Sequence, residues 1–141
     1  ERHGKTGRVS VCPLKGYGIE NGAIATSVSH DAHNIIAVGD NDEDIIVAVN
    51  ELKHLQGGCV IASKGKVLAS LQMEIAGLMS SDTKHNVQKK VKEMVLIARA
   101  LNVSENVDPF ITLSFMSLTV IPEIRLTEAG LYDVNRQKFI N

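Results

Sequence analysis

Short apolar runs alternate with longer segments of helical periodicity along this chain. Residues 35–39, I-I-A-V-G, are apolar and end in a glycine, which predicts a short, fully buried strand. Two further apolar runs flank the segment S-K-G-K, and this pattern predicts a hairpin with Gly65 in its turn. Asn21-Gly22 tolerates positive φ at both central positions of a tight turn, so another hairpin is predicted within residues 17–28.

Two segments have the spacing of amphipathic helices. In the first, Asn41 or Asp42 can cap the N-terminus, and the acidic run D-N-D-E-D suits the positive end of the helix dipole. Gly57-Gly58 ends this helix, whose apolar positions are Ile45, Val49, Leu52 and Leu55. In the second segment, Ser81 or Asp82 is the predicted cap. Its apolar stripe consists of Val87, Val91, Met94, Val95, Ala98 and Leu101.

The remaining segments complete a single compact domain spanning residues 1–141. Residues 1–16 are polar and predict a linker or first-strand region, and Asp108-Pro109 predicts the start of a short helix over residues 110–117. A turn at Gly130 with one or two short strands is predicted near the C-terminus. The expected class is α/β, with α+β as the alternative: a mixed β-sheet with hairpins, packed against two longer helices and one short helix.

Composition and charge narrow the range of partners. The 141 residues are 44% hydrophobic and 22% charged, as in ordinary globular domains. A net charge of −1 and the absence of Trp favour neither nucleic acid nor an anionic membrane surface. No apolar run approaches the ~18–20 residues of a membrane-spanning helix. Cys12 and Cys59 are far apart and form no C-x-x-C motif, so a reducing, cytoplasmic location is expected.

The segment S-H-D-A-H-N holds the main candidates for chemistry. His30 and His33 could reach one divalent ion if the loop forms a single turn, with Asp31 as a further ligand or an orienting group. The alternative is local scaffolding, because Asp31 and Asn34 readily hydrogen-bond nearby backbone in turns. His3 is an isolated histidine in a polar loop. No G-x-S-x-G, Walker or G-x-G-x-x-G motif occurs, so the sequence does not indicate a self-contained enzyme.

Several blocks of the chain, matching in order and spacing, resemble the C-terminal domain of bacterial adenine deaminase, a family of the amidohydrolase superfamily. They are E-R-H-G-K-T-G, K-G-Y-G-I-E-N-G-A-I-A-T-S-V-S-H-D-A-H-N-I-I-A-V-G-D-N-D-E-D, I-A-G-L-M-S and D-P-F-I-T-L-S-F-M-S-L-T-V-I-P-E-I-R-L-T. The likeness extends from Glu1 to about Val134. Ala32 is a departure, because the family more often has serine between the acid and the second histidine.

The resemblance implies a parent enzyme that hydrolyses adenine to hypoxanthine and ammonia with a pair of divalent metal ions (Mn, Fe or Zn) in a TIM-type barrel. A barrel usually needs ~250 residues, so this chain does not contain it. The chain also lacks an initiator Met, and we expect it to be a processed form or a piece of a longer polypeptide. Metal-assisted hydrolysis is then expected of the whole enzyme and not of this chain alone.

Within this chain, the resemblance implies no catalytic residue and no metal ligand. His30, Asp31, His33 and Asn34 are expected to lie beside the active site of the barrel, and His3 approaches from the linker side. The expected partners are the barrel domain of the same polypeptide, adenine in the full enzyme, and further copies in a homo-oligomer. The alternatives are a purely structural or oligomerisation module with no active-site contact, and an independent metal-binding protein.

Overall fold

The centre of the protein is a four-stranded antiparallel sheet, seen in a computed structural model that describes residues 1–140. Its strands are β1 (Ala23–Thr26), β2 (Ile36–Gly39), β3 (Gly58–Ser63) and β4 (Lys66–Gln72). Their order across the sheet is β2-β1-β3-β4, so β1 and β3 are central. Every residue of these two strands is buried, which explains why both are short, nearly continuous apolar runs.

Two helices cover opposite faces of this sheet. Helix α1 (Asp42–His54) packs on the face formed by small side chains, among them Ala23, Ala25 and Ala62. Helix α2 (Lys84–Ala100) packs on the other face, where Ile24 and Ile61 meet its buried residues. Neighbouring residues of a strand point to opposite faces, so one strand serves both helices. The result is a three-layer helix–sheet–helix arrangement.

Helix α1 begins where the sequence predicts and connects two strands that are not neighbours. Asn41 is the N-cap and accepts a hydrogen bond of 2.8 Å from the backbone N–H of Asp44. The helix carries the chain from β2 across β1 to β3. It ends at His54, before the predicted stop at Gly57-Gly58, because Gln56 already takes the left-handed conformation, with a φ of 60°.

The C-terminal part of the chain adds a short helix and a second sheet. Helix α3 (Ile111–Ser114) is followed by β5 (Ile124–Thr127), β6 (Gly130–Asp133) and β7 (Lys138–Phe139). The three strands form a separate antiparallel sheet in the order β5-β6-β7. The predicted turn at Gly130 is confirmed, whereas β7 exceeds the one or two strands expected. No helix among residues 1–140 is long and apolar enough to cross a bilayer.

The class prediction is confirmed: one domain combines helices and sheets. The hairpin with Gly65 in its turn is also confirmed, as β3 and β4. The mixed sheet is wrong, because every strand pair in both sheets is antiparallel. The crossover through α1 does bring β2 and β3 into the same direction, but β1 lies between them.

The hairpin predicted at Asn21-Gly22 is wrong. Strand β1 already pairs with β2 on one side and β3 on the other, so residues 17–20 have no free edge to join. The N–H groups of Asn21 and Gly22 instead donate to the carboxylate of Asp40, at 2.6 and 3.0 Å.

Four smaller expectations also need correction. The N-cap of α2 is Thr83, whose side chain accepts from the N–H of Asn86, and not Ser81 or Asp82. The short helix expected over residues 110–117 ends at Ser114, and residues 115–117 form only turns. Residues 1–16 contain no strand, and β2 is half-buried because it is an edge strand of the sheet.

Candidate functional site

The two central histidines lie in one loop at an end of the main sheet. This segment, residues 28–35, is here called the histidine loop. It connects β1 to β2, whose last pairing is Thr26 with Ile36. Because neighbouring antiparallel strands need only about two residues to connect, the loop is longer than the sheet requires. Long ordered loops on a rigid scaffold often carry functional groups.

Helix α3 and the turns after it hold one side of the histidine loop. The backbone N–H of His30 donates to the carbonyl of Ser114 at 2.8 Å. The Ser117 hydroxyl donates to the carbonyl of His30 at 2.9 Å and lies 2.6 Å from the hydroxyl of Ser29. Ser29 is 1% exposed, so this contact anchors the loop inside the protein.

Aromatic contacts orient the ring of His30. It stacks on Phe115, with ring centroids 5.2 Å apart and planes at 25°. The ring of His33 lies edge-on to that of His30, at 5.3 Å and 62°. The two imidazoles thus form an aromatic cluster with Phe115.

The N-terminal segment holds the opposite side of the loop. Arg2 Nε donates to the carbonyl of His33 at 2.5 Å, and Arg2 Nη2 donates to the carbonyl of Ala76 at 2.8 Å. His3 Nε2 lies 2.7 Å from the carbonyl of Ala32, so this nitrogen is the donor. His3 therefore contacts the backbone of the histidine loop, and its expected approach to the active site stays a prediction.

Asn34 and Asp31 have different environments. The Asn34 amide nitrogen donates to Glu128 Oε2 at 3.1 Å, and its oxygen accepts from the N–H of Arg2 at 3.4 Å. Asn34 therefore joins the second sheet to the N-terminal segment. Asp31 is exposed at the tip of the loop.

His33 is the most unusual residue of the loop. Its ring nitrogen Nδ1 is buried and has no hydrogen-bond partner among the described residues. Its backbone has a φ of 49°, in the left-handed region that few residues other than glycine adopt. Burial, followed by the charges of His30 and Arg2, lowers the pKa of His33. The imidazole is thus neutral near pH 7, with one donor and one acceptor nitrogen.

A metal centre built from this chain does not fit the geometry. Within residues 1–140, no group of three or more His, Cys, Asp or Glu side chains could hold an ion. The rings of His30 and His33 lie edge to face, with centroids 5.3 Å apart. A catalytic zinc site normally needs three protein ligands. No metal chemistry is therefore assigned to these residues.

Sequence reasoning missed most of the residues that hold the loop. Arg2 stands beside His3 in E-R-H-G, but only the histidine has an obvious chemical signature. Phe115, Ser117 and Glu128 are far from the loop in sequence and have no chemical signature of their own, although Phe115 and Ser117 lie in one of the blocks that resemble the family. An open cleft of about 540 Å³ lies beside the loop. Its lining includes Arg2, His3, Ala32, His33, Glu74 and Gly77.

Comparison with known proteins identifies the family. A family model described as the adenine deaminase C-terminal domain matches residues 1–138. The chain is 52% identical over 135 residues to adenine deaminase 2 of Carboxydothermus hydrogenoformans, covering 96% of this chain and 24% of that protein. It is 50% identical over 141 residues to the adenine deaminase of Halalkalibacterium halodurans, covering 100% of this chain and 24% of the relative.

The same alignment pattern recurs in other relatives. The adenine deaminase of Clostridium acetobutylicum is 45% identical over 141 residues, covering 99% of this chain and 25% of the relative. The chain thus spans about a quarter of the length of these curated relatives. The match with the family model extends over nearly all of the chain, including the histidine loop and its anchors. The chain therefore belongs to the adenine deaminase C-terminal domain family.

Proposed function

We propose that this chain, residues 1–141, is the C-terminal domain of an adenine deaminase, with residues 1–16 leading in from the barrel. The whole enzyme would hydrolyse adenine with one water to hypoxanthine and ammonia. Divalent metal ions held by the barrel would activate the water. The role proposed for this chain is to supply one wall of the site, formed by the histidine loop.

The observation that carries this proposal is the buried Nδ1 of His33, which has no partner among the described residues. A buried polar atom without a hydrogen bond costs about 1–3 kcal/mol, so such atoms are rare. Strained backbone, as at His33, is also concentrated at functional sites. Both features are accounted for if the loop rearranges when it meets the rest of the enzyme or substrate, which then supplies the partner that the buried Nδ1 lacks.

The chemistry of the loop suits a purine. The neutral imidazole of His33 can donate to or accept from a ring-edge nitrogen of adenine. The stacked pair of His30 and Phe115 offers a flat aromatic surface. The anchoring of the loop on both sides keeps these groups in fixed positions, which favours orientation of a substrate.

Steady-state kinetics of the full-length enzyme tests this role. His33→Ala and His30→Ala are expected to lower kcat/KM by about 100-fold, as for a lost positioning contact. Metal content should stay normal, because neither residue is assigned as a ligand. His85→Ala is the matched control, since His85 is exposed in the first turn of α2. Near-normal kcat and KM in both loop variants, with normal metal content, would exclude an active-site role.

A second candidate function is favoured by exposed apolar side chains around α3. Ile111 is 60% exposed, Val120 is 72% exposed and Phe115 is 39% exposed. Such a surface suits an interface with the barrel or with another copy in a homo-oligomer. Ile111→Asp with Val120→Asp is expected to lower the sedimentation coefficient of the full-length enzyme if the surface joins copies. An unchanged oligomer would argue against that interface.

We further propose a cytoplasmic location. Both cysteines are free, and Cys59 is buried in the core. Burial raises the pKa of the Cys59 thiol to about 11, so it stays protonated and unreactive. Free thiols of this kind fit a reducing compartment.

A further inference from the structure

We propose that Arg2 is a positioning residue: it clamps the histidine loop to the core of the domain and thereby places His33. This inference rests on the proposed function, because it concerns the loop assigned to the active site. It assigns a role to a residue that carries no chemistry of its own in the reaction.

The guanidinium of Arg2 joins two separate segments of the chain. Its Nε and Nη2 donate to two carbonyls, those of His33 and Ala76, which belong to different segments. The backbone N–H of Arg2 adds a third contact, to the side chain of Asn34. A planar fork can hold two carbonyls at once, whereas a lysine ammonium is a single point on a flexible stem.

Gly77 lies directly against the guanidinium of Arg2. A Cβ at position 77 would lie 2.5 Å from Arg2 Nη1, so a larger residue would displace the arginine. Gly77 also has a φ of +73°, which side chains rarely adopt. The backbone around position 77 is therefore shaped to receive Arg2.

The backbone at Gly77 is itself hydrogen-bonded to the central sheet through Ser27. The hydroxyl of Ser27, a residue 0% exposed, donates to the carbonyl of Gly77 at 2.5 Å. The same hydroxyl accepts from the N–H of Gly58, at the start of β3, at 2.8 Å. A continuous path thus runs from the sheet through Ser27, Gly77 and Arg2 to His33.

The N-terminal segment that carries Arg2 is also held together by hydrogen bonds of its own. The carboxylate of Glu1 accepts hydrogen bonds from the N–H groups of His3, Lys5, Thr6 and Gly7. These bonds close the N-terminal residues into a compact loop that presents Arg2 and His3 together. Replacing Arg2 would remove both guanidinium bonds from the side of the histidine loop that α3 does not hold, leaving there the contact of His3 with Ala32 and the backbone bond to Asn34.

The test uses full-length adenine deaminase containing this domain, with Arg2→Ala and Arg2→Lys. Hydrogen exchange followed by mass spectrometry measures the peptides covering residues 28–35 and 75–79. Both variants are expected to exchange faster there, with kcat lowered by about 100-fold and KM changed much less. Millimolar guanidinium is expected to restore part of the activity of Arg2→Ala but not of Arg2→Lys, whose side chain still fills the space.

Arg99→Ala is the matched control. Arg99 also bridges backbone carbonyls, those of Val103, Ser104 and Val107, but none of them belongs to the histidine loop. This variant should lose thermal stability without faster exchange at residues 28–35 and without loss of kcat per folded molecule. Comparing the Arg2 variants with Arg99→Ala separates positioning of the loop from a general loss of stability. If Arg2→Ala does not fold, the same measurements are made on Arg2→Lys.

The outcomes separate this inference from the proposed function. Unchanged exchange at residues 28–35 in both Arg2 variants would overturn the clamp, whatever the kinetics. Faster exchange with normal kcat, while His33→Ala is impaired, would overturn positioning of His33 by Arg2. Faster exchange with normal kcat in the Arg2 variants and in His33→Ala would leave the clamp standing and reject the proposed function.

Discussion

The imidazole of His30 lies on the ring of Phe115, with centroids 5.2 Å apart and planes at 25°. This contact joins the histidine loop to the end of α3, two parts of the chain that are distant in sequence. The backbone N–H of His30 also donates to the carbonyl of Ser114, the last residue of α3. The end of α3 therefore fixes both the main chain and the ring of this histidine.

Truncation of the aromatic partner should therefore affect activity more than stability. We expect Phe115→Ala in the full-length enzyme to lower kcat/KM about tenfold, because an aromatic pair contributes about 0.5–1.5 kcal/mol. Leu96→Ala, on α2 and 70% exposed, is the control and should leave kcat/KM unchanged. Equal effects of the two substitutions on kcat/KM would contradict a specific role of the stacking.

Asp44 should control the acid stability of the domain. It is 2% exposed and accepts hydrogen bonds from Asn41 and the N–H of Gly65. Burial by itself would raise its pKa, but the bonds from Asn41, Gly65 and Lys64 outweigh burial and lower the pKa below 3.8. Asp44→Ala should cost about 1–3 kcal/mol at neutral pH by leaving these donors without an acceptor.

The sign of the pH effect follows from that lowered pKa. The stability that ionised Asp44 contributes is present above 3.8, its value in the unfolded chain, and is lost as the pH decreases through the lower folded value. Thermal unfolding at a series of acidic pH values should therefore show a shallower pH dependence for Asp44→Ala than for the unmodified protein. Asp42→Asn, at the exposed start of the same helix, is the control. Parallel curves for Asp44→Ala and the unmodified protein would reject this account.

His33 should affect the stability of the domain at a higher pH than Asp44 does, closer to neutral. Its pKa is lowered from 6.5, first by burial and then by the charges of His30 and Arg2. The unfolded chain takes up a proton at 6.5 while the folded domain stays neutral, so stability decreases as the pH decreases from 6.5 to the folded pKa. We expect His33→Gln to reduce the loss of melting temperature between neutral pH and about pH 5.

His85→Gln is the comparison for that measurement, because His85 is exposed on α2. It should leave the pH dependence of the melting temperature unchanged. If His33→Gln and the unmodified protein lose the same melting temperature on acidification, the imidazole of His33 is not held neutral by the fold.

The isolated 141-residue chain should not deaminate adenine. Its described residues contain no group of three or more His, Cys, Asp or Glu side chains placed to hold a metal ion. Ammonia release from adenine is expected to stay at the background rate, with the full-length enzyme as the positive control. Turnover by the rigorously purified domain would contradict the assignment of the chemistry to the barrel.

Local signals were sufficient to predict several elements. The side chain of Asn41 caps a backbone N–H only three residues away, and acidic residues follow in the first turn of α1. The start of this helix could therefore be predicted from the sequence. The turn around Gly65 joins two strands that are adjacent along the chain. Such features depend on neighbours in sequence and are little affected by the rest of the fold.

Local signals failed where a tertiary partner competed. Asn21-Gly22 has the residues of a hairpin turn, but the carboxylate of Asp40 accepts both of its N–H groups. Strand β1 is paired on both sides by β2 and β3, so no strand could form before the turn. Pairing across the sheet therefore decided the structure of this segment.

The sequence alone determined the family, the positions of the two long helices, and which loop holds the closely spaced histidines His30 and His33. Only the tertiary structure decided what surrounds them: Arg2 from the N-terminal segment, Phe115 beside α3, and Glu128 next to the second sheet. The reason is physical. Helix caps and turns depend on hydrogen bonds between residues that are close in sequence. The burial of His33 Nδ1 and the two hydrogen bonds of the Arg2 guanidinium exist only once distant segments have packed together.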